Sequence, residues 1–220
     1  MLIGAVVTVL GSRGDDAPAG SPSAAPSPAG TAAAAPPAQA AQGGCRPTAA
    51  DQTVPRTAPA GVTWEIFQGI AIPASRTAGP LIVKNGIARC FARTPTGALI
   101  AELQIGIRAG FGPAWRNIAA LQLAPGPGRD RFLRTRARFT PHGQPGRYMQ
   151  TAGFRYVTYS PQTAVIQYVS RAPDGGLWTS TATMVWAGGD WKLQVTPEGS
   201  TGTPAQRVPS LDGFVRWGGL

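Results

Sequence analysis

The sequence predicts an α+β fold in which helices pack into a curved antiparallel sheet, a roll, preceded by a disordered Ala/Pro-rich stalk. Three observations carry that prediction. From Arg147 to Thr196 four runs rich in Val, Ile, Thr, Tyr, Phe and Trp are separated by turn signals. Helical patterns stand directly before those runs, and a long tract without aromatic residues stands before the helices.

The four runs are GRYMQTAGFRYVTY, TAVIQYVSR, GLWTSTATMVW and DWKLQV. Ser160-Pro161, Asp174-Gly175-Gly176 and Gly188-Gly189-Asp190 lie between them, the pattern of a meander. In the third run Trp178, Ser180, Ala182, Met184 and Trp186 share one face, against Thr179, Thr181 and Thr183. In the fourth, Trp191, Leu193 and Val195 oppose Lys192, Gln194 and Thr196. Such alternation buries one face and leaves the other wet.

The cover for the buried face is expected from the segment before it. Thr94-Pro95 is a capping hydroxyl followed by proline at the first helical position. Leu99, Leu103 and Ile107, with Ile100 beside them, form an apolar stripe, and Glu102, Gln104 and Arg108 lie off it. A second helical run, Ala114 to Leu123, carries Trp115, Ile118, Ala119 and Gln122 and stops at Pro125-Gly126-Pro127-Gly128. A third segment, Asp130 to Phe139, is densely basic. On a helix, Arg131, Arg134 and Arg138 share a face, with Phe132 and Leu133 turned to the core. Upstream, Thr63 to Ile72 reads as an extended segment or edge strand closed by Pro73, and GPLIVKNG leads into an Asn-Gly hairpin. At the far end, Phe214 and Trp217 are expected to pack back on the domain.

The chain divides into residues 1–11, an anchor or signal remnant; 12–44, a disordered linker; and 45–220, a single globular α+β domain. Leu2 to Leu10 is apolar but about half the ~20 residues of a spanning helix. Two readings stand: a start codon called late, with the rest of the span upstream, or a weak signal-anchor remnant. The Ala, Pro, Ser and Gly of residues 12–44 cannot bury enough surface to offset chain entropy, which leaves a semi-extended spacer. An apolar start, a stalk and a cysteine-bearing domain describe a cell-membrane protein with a single-pass anchor and its domain outside the cytoplasm.

The formal net charge is +10 and the sequence pI about 11.0. A balance this basic favours anionic neighbours: nucleic acid, acidic lipid headgroups or anionic cell-wall polymer. It is also what an Arg-, Ala-, Gly- and Pro-favouring composition yields, and no nucleic-acid motif accompanies it. The sharpest local feature is Arg129, Arg131, Arg134, Arg136 and Arg138. It reads either as an anion- or partner-binding ridge or as a solvated helix face.

Cys45 and Cys90 are the two cysteines, without CxxC spacing and without a cluster of His, Asp or Glu beside them, so no metal site is expected. Two lone cysteines in an exported domain pair more often than not; two unrelated buried thiols are the alternative. A bridge would close a loop of about 45 residues, a stabilisation of about 3–4 kcal/mol in the chain-entropy model.

Catalytic residues are not expected. Asp174 and Asp190 fall in hairpin turns, Glu198 and Asp212 lie beyond the sheet, and Asp130 sits among arginines. None is placed on the inner face of the sheet, where a roll-type enzyme needs its base. His142, in a Pro/Gly loop, has no evident partner. GxSxG, Walker A and dinucleotide fingerprints are absent from the sequence, and no cofactor is expected.

Several phrases together, GCRPTAADQTVP, GIARCFARTPTGAL, PAW, PGPGRDR, AGFRYVTYSPQTAVIQYV, GDWKL and the closing WGG, resemble an uncharacterised actinomycete family found with integrative and conjugative elements. Its members look like small membrane-anchored proteins ending in one globular domain, and the likeness spans roughly Gly44 to Leu220. Both cysteines fall inside matching phrases, which supports their pairing. In layout and topology the chain is also similar to type IV secretion assembly subunits, whose outer domain is a cystatin-like or nuclear-transport-factor-like roll. The resemblance implies a non-enzymatic envelope component of a conjugation or secretion apparatus, partnered by other apparatus proteins or by copies of itself. The alternative is a small-ligand-binding or enzymatic roll using the cone between sheet and helices.

Overall fold

The strand runs pair as the alternation requires. In the computed structural model, which describes residues 45–141 and 147–219, β5 (Gln150–Ser160), β6 (Thr163–Arg171), β7 (Leu177–Ala187) and β8 (Asp190–Gln194) form an antiparallel meander. The β7–β8 connection is a two-residue turn in which Gly188 and Gly189 have φ of 63° and 81°. Glycine takes that left-handed geometry without a Cβ clash, and it matches the twist of the flanking strands. Two shorter strands complete the six-stranded sheet: β9 (Gln206–Val208) pairs with β7, and β10 (Val215–Arg216) pairs with β5 at the sheet's edge. β5 carries register shifts at Thr151/Gly153 and Tyr156/Thr158, and such bulges bend the strand that bears them. On the face expected to be covered, Ala182, Met184, Trp191, Leu193 and Val195 are buried, and Trp178, Ser180 and Trp186 are half-buried. Thr179, expected on the wet face, is buried as well. Its hydroxyl donates to the Tyr168 carbonyl at 2.8 Å while its backbone pairs with Gln206 of β9.

The segment read as one extended stretch closed by Pro73 is instead a hairpin, β1 (Val62–Phe67) and β2 (Ile70–Ser75). Gln68 and Gly69 turn the chain with φ of 53° and 82°, a turn that a Gln-Gly pair announces weakly. Pro73 lies inside β2 opposite Trp64, in a two-stranded sheet where a missing N–H is tolerated at the open edge. The Asn-Gly hairpin is present as β3 (Ile82–Lys84) and β4 (Ile87–Arg89).

Helix α1 (Pro95–Phe111) starts where expected, with Thr94 Oγ1 accepting from the Gly97 N–H at 3.1 Å. It packs against β2 as well as β6, β7 and β8. A helix enclosed this way has no wet stripe. Glu102, Gln104 and Arg108, which lie off the apolar stripe, are 9%, 0% and 5% exposed. Gln104 donates to the Pro73 carbonyl at 2.8 Å, and Arg108 bonds Gln104 at 2.7 Å and Glu65 of β1 at 3.0 Å. The polar face of α1 thus clamps the β1–β2 hairpin. α2 (Trp115–Gln122) and α3 (Pro127–Arg136) follow, α3 beginning before the basic segment rather than within it. Among the described residues no helix is long and apolar enough to cross a membrane.

The core between α1 and the sheet is filled by Leu99, Ile100, Ile105, Phe154, Ile166 and Met184, all fully buried. The chain end closes it, as expected for Trp217: its ring lies 4.7 Å from Trp64 and 5.4 Å from Phe154. The stretches read as anchor and stalk, residues 1–44, lie outside the described residues, as does His142. Truncating a buried tryptophan costs about 3–5 kcal/mol, so Trp217→Ala is expected to lower unfolding free energy by that order. Urea titration followed by far-UV circular dichroism checks it; a loss under about 1 kcal/mol would mean the chain end does not close the core.

Candidate functional site

The backbone from Cys90 to Ala92 is gripped from one end of the sheet. Cys90 has φ of 70°, unusual for a residue with a Cβ, and so needs surroundings that hold it. Asp190, the first residue of β8, supplies them. Its carboxylate accepts the Cys90 N–H at 2.8 Å, the Phe91 N–H at 3.1 Å and its own neighbour Trp191's N–H at 2.9 Å. Trp191, fully buried, donates its indole N–H to the Ala92 carbonyl at 2.8 Å. Gly79 lets the preceding loop pass underneath, since a Cβ there would meet the Cys90 carbonyl oxygen at 2.6 Å. Asp190 was expected only to form a turn; it joins the sheet to the strand-to-helix connection. Burial pushes its pKa up, against the pull of the three N–H donors and Lys192.

The same connection carries the cross-link. Cys45 and Cys90 are disulfide-bonded, with Cα atoms 5.4 Å apart. The bond lays the stretch from Cys45 to Gln52 beside it, and further contacts fix that stretch. Gln52 donates to the Arg93 carbonyl at 2.9 Å and accepts from the Tyr159 hydroxyl at 2.7 Å, while the Thr48 and Ala49 N–H groups meet the Thr77 carbonyl.

Between this stretch, the β3–β4 hairpin, the end of α2 and the β7–β8 turn lies a groove of about 980 Å³. Its walls are apolar and aromatic, with Ile82, Ile87, Leu121 and Trp186 among them. Arg89, Arg93 and Lys192 bring positive charge to it. Arg93 stacks over Trp186 at 5.5 Å and donates to the Pro161 carbonyl, and Lys192 donates to the Leu121 carbonyl. Gln122 borders the groove, 5% exposed; its amide donates to the Ala88 carbonyl at 2.6 Å and its amide oxygen has no partner. None of these groove residues was singled out as a site from the sequence. What signalled them was the cysteine pair itself, one of whose members ends β4's hairpin and starts the groove.

The expected arginine ridge is divided by the structure. Arg131, Arg134 and Arg138 are exposed, Arg129 is half-buried, and Arg138 lies beyond the helix end. Arg136 is no part of a ridge. It is buried, donates to the carbonyls of Ala109, Phe139 and Gly112, and lies 5.0 Å from the Trp115 ring centre. Burial and the nearby Arg116 lower its pKa. The helical period that places 131, 134 and 138 outward turns 136 inward, where the end of α1 offers unpaired carbonyls.

One acid does sit within the core, and the sequence reading passed over it. Glu102 of α1 lies beside the Tyr168 hydroxyl, which donates to the Leu99 carbonyl at 3.1 Å. Glu102 Oε2 has no partner, and burial raises the Glu102 pKa to about 8. At neutral pH it is therefore a neutral acid. It is enclosed rather than opening into the groove. Among the described residues no group of three or more His, Cys, Asp or Glu is placed to hold a metal ion.

Fold and site together define a disulfide-tethered α+β domain bearing a cationic, aromatic-walled groove. The chain belongs to the family described as Domain of unknown function (DUF8175), matched over residues 24–216. No curated protein and no solved structure matches it.

The folded pKa of Glu102 stands above its unfolded value of about 4.5, so its contribution is fully present below pH 4.5. As pH rises from there to about 8 the unfolded chain is ionised and the native state is not, so stability falls across that window and then levels. Glu102→Gln should flatten that part of the profile, read as urea midpoints at pH 5 and pH 8 in both proteins; identical slopes would contradict it. Arg136→Ala should cost about 2–3 kcal/mol by leaving buried carbonyls unpaired, whereas Arg134→Ala should stay within about 0.5 kcal/mol.

Proposed function

We propose that this protein is a non-enzymatic cell-envelope component of a conjugation or type IV secretion-like apparatus. Its domain stands outside the membrane, as a nuclear-transport-factor-like roll, and acts by protein–protein contact. The observation that carries the reading is the Cys45–Cys90 bond, built into the wall of the groove. Disulfides persist in oxidising compartments and are rare in the reducing cytosol. A domain whose groove is framed by one fits the outer side of a membrane.

The order of elements supports the roll: after the β1–β2 and β3–β4 hairpins, three helices stand directly before a meander whose β5 is bent at two bulges. The placement of the acids favours binding over catalysis. Asp190 is engaged by three backbone N–H groups, and Glu102 is enclosed in the core. The competing reading, a ligand-binding or enzymatic roll, needs room between sheet and helix, where Leu99, Ile166 and Met184 are fully buried. Anionic lipid or cell-wall polymer fits the exposed arginines of α3 as an accessory contact, and self-association is compatible with the same surface.

The test uses the native host. A membrane-impermeant maleimide applied to intact cells should label Cys45 and Cys90 only after an impermeant reductant, and a Cys45→Ser/Cys90→Ser strain should transfer DNA less often in a mating assay. Thiols that are reduced and reachable only after lysis, with unchanged transfer, would contradict the proposal.

A further inference from the structure

Three features of the groove converge on one kind of occupant. The first is charge. Arg89, Arg93 and Lys192 face it, while its one carboxylate, Asp190, is engaged by backbone N–H groups. Among the described residues none of these three cations meets a carboxylate at ion-pair distance. The second is apolar surface, Ile82 and Ile87 on one side and Leu121 and Trp186 on others. The third is an open strand edge. β3 and β4 pair only with each other, so the outer edge of β3 carries no further strand, while the Ala88 carbonyl of β4 is already taken by Gln122. An unpaired edge offers backbone donors and acceptors to an incoming strand.

We infer that this groove binds an extended acidic segment of a partner protein. The segment adds its backbone to the β3–β4 hairpin, sets carboxylates against Arg89, Arg93 and Lys192, and lays apolar side chains on Ile82, Ile87 and Leu121. A polyanion without a peptide backbone, such as nucleic acid, would use the charge but neither the strand edge nor the aliphatic wall. The wall formed by Cys45 to Gln52 is tied down by the disulfide together with hydrogen bonds to Thr77, Arg93 and Tyr159, so reduction loosens the wall and weakens its hold on the segment. The inference rests on the reading of the protein as a protein–protein module and names where and what it holds.

The experiment pans the immobilised full chain against phage displaying random short peptides, then measures a fluorescein-labelled selected peptide by anisotropy. Expected are sequences rich in Asp and Glu interspersed with branched apolar residues. Arg89 is exposed, so Arg89→Glu should fold normally and weaken binding roughly tenfold or more. Arg131→Glu on α3 should leave binding unchanged, and dithiothreitol should weaken it. Selected peptides without acidic bias, equal affinity for Arg89→Glu, or displacement of the peptide by an unrelated oligonucleotide at matched concentration would each overturn the inference. The two readings fail separately. An unaffected Arg89→Glu affinity beside impaired transfer in the cysteine-less strain sinks the groove alone. Lost peptide binding in Arg89→Glu beside thiols that are reduced and labelled only after lysis, with unchanged transfer in the cysteine-less strain, sinks the envelope role alone.

Discussion

The carboxylate of Asp190 holds together parts of the chain a hundred residues apart, and the arrangement of the groove follows from it. By accepting the N–H groups of Cys90 and Phe91 it fixes a left-handed residue at the end of the β3–β4 hairpin. Hydrogen bonds to a charged acceptor contribute about 1.5–3 kcal/mol each, enough to offset the ~1–3 kcal/mol of a strained backbone position. With Cys90 held, its sulfur can meet Cys45, and the preceding stretch becomes a wall. With Phe91 and Ala92 held, Arg93 stacks on Trp186 and Thr94 caps α1. Site and helix start therefore share one anchor.

The second constraint is the enclosure of α1. A helix with the sheet on one side and a hairpin on the other must satisfy its polar groups inside the protein. Gln104 and Arg108 do so by reaching the backbone of β2 and the carboxylate of Glu65, and Arg108 also lies 4.5 Å from the Phe67 ring centre. Glu102 instead stays protonated beside Tyr168. An un-ionised acid avoids the large desolvation cost of a buried charge, at the expense of stability as pH rises. Arg136 repeats the theme at the end of α1, where its guanidinium takes up carbonyls the helix leaves unpaired.

Much of this architecture is legible from residue order. The meander is readable because β7 and β8 alternate strictly, and each intervening turn carries Gly, Asp or Pro. The Asn85-Gly86 turn and the Thr94-Pro95 cap are local signals with local causes. Three things were not legible for physical reasons. Gln68-Gly69 turns the chain although Gln seldom takes positive φ, so the hairpin hid inside an apolar run. The burial of Glu102, Gln104 and Arg108 depends on the hairpin packed across them, a tertiary fact. The sequence did hold a hint, for Ile105 lies on the side of the helix away from Leu99 and Leu103, which a one-sided helix would not bury. The groove was hidden because its residues come from four separate stretches and share no spacing.

Asp190 organises the groove and the helix start, while the meander stands on its own packing. Amide hydrogen exchange of the full chain and of Asp190→Ala tests it most directly. The account predicts that protection is lost at Cys90, Phe91 and the first turn of α1, while Ile166, Tyr168 and Met184 in the central strands exchange as slowly as before. Unchanged protection at Cys90 and Phe91 would contradict it, as would a uniform loss across the sheet.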